Sequence, residues 1–245
     1  MAASIDNAFR LKVSRLSLKS TIFCQVLSLL FLCSSVVVLL TVDWRLNVID
    51  NAVYSIRTFS IVYGIVQSFL YGVVLREKDA DPVTYRSSNK ATVFSKIPGV
   101  LKYTFLFSVS CIVLHVVIVL FGAAVQEVVE ETFILAVLLS TLSTLPCLCV
   151  LGTNGEVWNR FTAQRRPHPG LETCIQYGAV ASLLGAWMGA FTIPLDWDRP
   201  WQVWPVPCAI GALLGHTAGM TVGLIHLVSL SSKQYIKGKS KNFRD

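Results

Sequence analysis

Residues 205–230 read PVPCAIGALLGHTAGMTVGLIHLVSL. The stretch has no charged residue, and glycine recurs at Gly211, Gly215, Gly219 and Gly223. In water each such glycine costs a helix about 1 kcal/mol relative to alanine. A run of about 20 or more apolar residues instead suits the hydrocarbon core of a bilayer, roughly 30 Å thick. Helices in lipid associate by close packing, and small residues four apart let two backbones approach. The stretch reads as a membrane-spanning helix with one flat, glycine-lined face.

Five more apolar blocks follow the same reading: Thr21 to Val42, Ala52 to Leu75, Tyr103 to Val125, Glu127 to Leu151 and Glu172 to Leu195. The 245-residue chain is 53% hydrophobic, with a mean hydropathy of +0.60. Only 14% of its residues are charged, against about 25% in soluble domains. The expectation is an all-α, polytopic membrane bundle of six transmembrane helices. It divides into a basic N-terminal arm (1–20), a six-span domain (21–230) and a basic tail (231–245). The first block is read as a retained span, because its apolar core is too long for a cleaved signal and no small-residue cleavage site follows it.

Lysine and arginine placement sets orientation. All but Arg45, Arg57 and Arg199 of the 21 basic residues fall in the arm, the second and fourth connections and the tail. Both termini are therefore expected in the cytosol, and connections one, three and five in the lumen. The net charge of +7 lies in short segments flanking spans, where it orients the helices and meets anionic headgroups. No basic module interleaved with aromatics points to nucleic acid. The seven cysteines fall mostly inside spans, where a thiol is a small hydrophobe. Cys147 and Cys149 do not make a zinc pattern, although palmitoylation near the end of span four is one reading of them. The stretch Lys78 to Lys90 reads as a polar loop, and RRPHPG (Arg165 to Gly170) as a rigid turn.

Three groups of residues merit functional weighing. In QEVVEETF, Glu127, Glu130 and Glu131 share one helix face at a helix start, where the macrodipole favours negative charge. They read either as a helix-starting acidic turn, or as a carboxylate that dips inward to contact a headgroup, a cation or a partner. In LDWDRPWQVWPVP, Asp196, Trp197, Asp198, Arg199, Trp201 and Trp204 form a hairpin stiffened by Pro200, Pro205 and Pro207. Tryptophan belongs at membrane interfaces, so this is either an aromatic belt or a luminal platform that docks a partner. The glycines Gly211, Gly215, Gly219 and Gly223, with Gly185 and Gly189 of span five, are helix-packing faces. They meet either each other or another protein's helix, and the reading carried forward is partner-helix packing. No catalytic motif, metal site or cofactor signature is legible. His115, His216 and His226 stand apart on different spans or turns.

Two long runs carry a resemblance: VVIVLFGAAVQEVVEETFILAVLLSTLSTLPCLCVLG (Val116 to Gly152) and GAWMGAFTIPLDWDRPWQVWPVPCAIGALLG (Gly185 to Gly215). They are similar to the phosphatidylinositol-glycan biosynthesis class F family over roughly residues 100 to 230, while the first hundred residues agree only in pattern. The resemblance implies a multi-pass endoplasmic-reticulum membrane protein that is not itself an enzyme. It would be an accessory subunit, without cofactor, that binds and stabilises the large ethanolamine-phosphate transferases, the class O and class G proteins. Those enzymes add ethanolamine phosphate to the mannoses of the glycosylphosphatidylinositol (GPI) anchor precursor. The alternative is a lipid-handling protein presenting or moving the precursor or phosphatidylethanolamine, with Glu127, Glu130, Glu131 and Arg199 in a luminal-side groove.

Overall fold

The structure is a computed structural model, and it describes residues 2–41, 48–49, 51–75, 93–124, 126–152, 155–164, 170–195 and 199–242. Among the described residues there are seven α-helices, in chain order α1 (Ala2–Thr41), α2 (Ala52–Gln67), α3 (Val93–Leu120), α4 (Val129–Leu151), α5 (Gly155–Thr162), α6 (Leu171–Ala190) and α7 (Val206–Asn242). A π-helix, Ser68–Leu75, continues α2, and a 3₁₀ turn, Pro200–Gln202, precedes α7. No strand occurs among the described residues. In lipid, with no water to satisfy backbone groups, a helix satisfies them within its own segment.

Among the described residues, four helices are long and apolar enough to cross a membrane, through the stretches Leu18–Leu39, Val100–Leu120, Val129–Leu151 and Val206–Lys233. The other two expected spans depart from that pattern for identifiable reasons. The α-helical part of α2 has 16 residues before its hydrogen bonding widens to the π form. Helix α6 has the length but carries Glu172 and Gln176 in its first turns. Helix α1 runs back through the basic arm, and α7 runs on through most of the basic tail. The loop at 78–90 lies outside the described residues, as does most of the turn at 165–170.

The fourth connection contains a short helix ahead of that turn. In α5, Trp158 and Phe161 pack on a small apolar cluster with Cys147, Leu151 and Ile175, while Asn159 and Thr162 stay exposed. Trp158 Nε1 donates to the Gly152 carbonyl at 2.8 Å. Gly152 ends α4 with φ 69°, a conformation that favours glycine. The aromatic residues recur at helical spacing, so this segment lies along the bundle end rather than looping free.

Helix α4 is the centre of the bundle. It touches α2, α3, α6 and α7, and 72% of its apolar stretch is buried. Helices α6 and α7 form the most extensive contact, an antiparallel hairpin, and α1 packs along α7. Helix α3 joins chiefly through α4, and only 6% of its stretch is buried. Ser110 of α3 there bonds Ser140 at 3.2 Å and Thr144 at 2.7 Å, both on α4. The outer faces present Phe23, Ile65, Phe105, Leu120 and Ile225, all more than half exposed. Apolar surface on this scale is untenable in water and ordinary against lipid tails.

Candidate functional site

The glycines of α6 and α7 face each other. A Cβ on Gly185 would overlap the carbonyl oxygen of Gly211, and one on Gly211 would overlap that of Gly185. Gly215 stands likewise against the Ala181 carbonyl, and Gly189 against that of Pro207. A Cβ on Gly219 would lie 2.8 Å from Ala181 Cβ, and one on Gly223 would lie 3.0 Å from Cys174 Cα. The pairs advance in opposite directions along the two helices, as an antiparallel hairpin requires. At its far end the Cys174 thiol donates to the Gly223 carbonyl at 3.1 Å. The small-residue face that the sequence offers to a partner's helix is occupied by the chain's own α6. Backbones in van der Waals contact leave no width for a third helix.

Beside this seam lies a buried polar knot that joins four helices. His216 of α7 is 3% exposed. Its Nδ1 lies 3.2 Å from the Gly178 carbonyl of α6, and its Nε2 lies 3.1 Å from the Tyr63 hydroxyl of α2. A carbonyl only accepts, so Nδ1 carries the proton and Nε2 accepts from Tyr63. The Gln67 amide nitrogen donates to the Tyr63 oxygen and, at 2.9 Å, to Ser28 of α1. One turn on, in the π-helix, Tyr71 donates to Gln25 of α1 at 2.7 Å. Tyr63 is also stacked on Phe59 and Phe31, with centroids at 5.2 and 6.2 Å. The hydrogen bonds run in one direction, from Gln67 through Tyr63 and His216 to the Gly178 carbonyl. Such chains polarise one another in a low-dielectric interior.

The cap between α6 and α7 is braced by one glutamine. Gln202 Oε1 accepts from the Arg199 backbone N–H at 2.9 Å, and its Nε2 donates to the carbonyls of Thr192 (2.8 Å) and Leu195 (2.7 Å). Trp204 Nε1 donates to the fully buried Thr132 hydroxyl at 3.1 Å, which pins the cap to the start of α4. Trp201 and Trp204 pack against the main core, whereas Arg199 and Val203 are exposed. Asp196, Trp197 and Asp198 lie outside the described residues. Glu127 and Glu130 are exposed where α4 begins, and Glu131 is half-buried.

Among the described residues, no group of three or more His, Cys, Asp and Glu side chains is placed to hold a metal ion. His115 lies edge-on to Phe133, and His226 edge-on to Tyr177. An open groove of about 390 Å³ separates α2 from α3 and α4, lined by Ser60, Ile61, Gly64, Phe107, Thr141 and Leu145 among others. Its walls contain none of Glu127, Glu130, Glu131 and Arg199.

The family model of the GPI biosynthesis protein family Pig-F matches residues 31–224. The chain belongs to the Pig-F family. A mouse relative described as "GPI ethanolamine phosphate transferase, stabilizing subunit" is 45% identical over 136 residues, covering 56% of this chain and 62% of that one. The human protein of the same description is 44% identical over the same coverage. A Yarrowia lipolytica relative, "Glycosylphosphatidylinositol anchor biosynthesis protein 11", is 39% identical over 113 residues, covering 46% of this chain and 49% of its own. The chain thus spans less than two thirds of the length of these relatives. No solved structure matches it.

The Pig-F match takes in all six seam glycines, the glutamates and the cap, and it reaches back into α1. Tyr63, Gln67, Tyr71, Gly178 and His216 of the polar knot lie inside it, while Gln25 and Ser28 precede it. Reading the sequence missed this knot, apart from noting His216 as isolated. The signal was present: Tyr63, Gln67 and Tyr71 recur four apart along one face of the second span, and Gln25 and Ser28 recur three apart in the first. Polar residues on one face of a membrane helix look for partners on its neighbours.

Proposed function

We propose that this Pig-F family chain is a non-catalytic membrane subunit. It binds the ethanolamine-phosphate transferases of GPI-anchor synthesis, the large multi-pass class O and class G proteins, and keeps them folded in the endoplasmic-reticulum membrane. The observation that carries this reading is the 44–45% identity to relatives described as stabilizing subunits of that transferase. The accompanying topology is six spans with both termini cytosolic, counting α2 with its π continuation and α6 as spans. The charge distribution supports it. A partner that binds only the folded enzyme stabilises it in proportion to the logarithm of its concentration over Kd.

Within this reading the α6–α7 cap is the docking surface. The seam glycines are committed inside the chain, whereas Arg199 and Val203 project from a cap held at both ends by Gln202 and Trp204. A rigid platform loses little entropy on binding. In the proposed topology the cap faces the lumen, on the same side as the glutamates at the start of α4.

Purification of the chain from cells in mild detergent, followed by mass spectrometry, tests the function. The expected result is recovery of a large ethanolamine-phosphate transferase subunit. Recovery of the chain alone, with a phospholipid bound, would overturn the subunit reading in favour of lipid handling.

A further inference from the structure

The polar knot leaves one atom over. Gln67 has no exposed surface, its amide nitrogen is engaged by Ser28 and Tyr63, and its Oε1 has no protein partner. Turning the amide over does not remove the problem. Oε1 would then accept from Ser28, could accept from Tyr63 only at the cost of the Tyr63–His216 bond, and an unpaired NH2 would replace the unpaired oxygen. Either end, buried without a partner, is costly.

Gln67 also lines a small cavity, whose other polar side chains are Gln25, Tyr71 and His216. The space open to the centre of a water molecule is about 10 Å³. That is close to the room one water needs, and a buried water also needs two to four polar partners. The rest of the wall is Pro146, Cys174, Ile175, Met220 and Gly178, whose carbonyl is engaged by His216. A headgroup, a nucleotide or a hydrated ion is too large for the space, and a dry cavity would leave the Gln67 amide unsatisfied.

We infer that this cavity is a binding site for a single water molecule, held by the Gln67 amide and by at least one of Gln25, Tyr71 and His216. The water links the end of α2 to α1 or to α7, just where α2 widens into its π-helix. The N-terminal helix pair is joined to the α6–α7 hairpin by the Tyr63–His216–Gly178 bonds, and the water completes the hydrogen bonding of that knot at Gln67. The site is independent of what the protein binds outside.

The test is an experimental structure of the full chain, alone or in its complex, at a resolution where internal waters are visible. The expected result is a water peak at about 2.7–3.2 Å from the Gln67 amide, and within the same distance of a second wall residue. A map that shows other ordered waters but none here would overturn the inference. So would a Gln67 amide fully bonded to protein groups. The same measurement on Gln67→Leu is expected to lose the peak. A peak that persists there would show that the amide does not hold the water. If that variant fails to fold, the wild-type map decides alone.

Discussion

Gly185 and Gly211 meet backbone to backbone across the α6–α7 seam, each filling the space where the other's Cβ would stand. Replacing either by alanine forces two helices apart along their whole contact. Overpacking of this kind costs about 1–3 kcal/mol. Gly211→Ala is therefore expected to lower the thermal midpoint of the detergent-solubilised protein, and Gly211→Leu to abolish the folded hairpin. Gly64 is the control. A Cβ there meets only Leu145 Cδ2 at 3.4 Å and Thr141 Cγ2 at 3.6 Å, so Gly64→Ala should be neutral or slightly stabilising. Equal effects at the two positions would remove the seam as the reason for the glycines.

Tyr63 and His216 share one hydrogen bond in a continuous chain. Tyr63→Phe interrupts it and is expected to cost about 1 kcal/mol. A double-mutant cycle with His216→Leu should give a coupling of about 0.5–1.5 kcal/mol, read from thermal unfolding in one detergent. Strict additivity would mean that the two residues act separately.

Gln202 makes three bonds that shape the α6–α7 cap. Gln202→Ala should leave the helices inserted while exposing the cap to limited proteolysis near Leu195. Under the proposed function it should also reduce recovery of the transferase several-fold. Arg199→Glu, at an exposed site, should reduce recovery without the proteolytic change. Undiminished recovery in both variants would move the docking surface elsewhere.

The glutamates at the start of α4 are predicted to be electrostatic furniture of a helix end. Converting Glu127, Glu130 and Glu131 together to glutamine should change stability by no more than about 1 kcal/mol. Transferase recovery should be unchanged. Lost transferase activity with the assembly intact would instead favour a lipid-handling role for this turn.

The helical, membrane-spanning character of this chain is legible residue by residue. An uncharged run as long as 205–230 has the length of a membrane-spanning helix, which satisfies every backbone group within its own segment. The family is legible as well, in the long runs 116–152 and 185–215. The register of the small residues also announces a close helix approach. Which helix approaches is another matter. Gly215 needs a neighbouring backbone, and α6 or a partner would satisfy it equally well. Only the packed bundle shows the Ala181 carbonyl there. The amphipathic α5 is similar: Trp158 and Phe161 are ambiguous until Leu151 and Ile175 are beside them.

The polar knot depends entirely on tertiary structure. Gln25, Ser28, Tyr63, Gln67, Tyr71 and His216 lie on three helices distant in sequence, and each taken alone reads as a tolerated polar residue in an apolar span. Hydrogen bonds are short and directional, so their partners are fixed only when the helices reach their final crossing and rotation. Composition and spacing determine that this chain is a bundle of membrane helices with a flat face to bury. The packing of α1, α2, α6 and α7 decides that the flat face is buried inside the chain, and that the polar groups find one another.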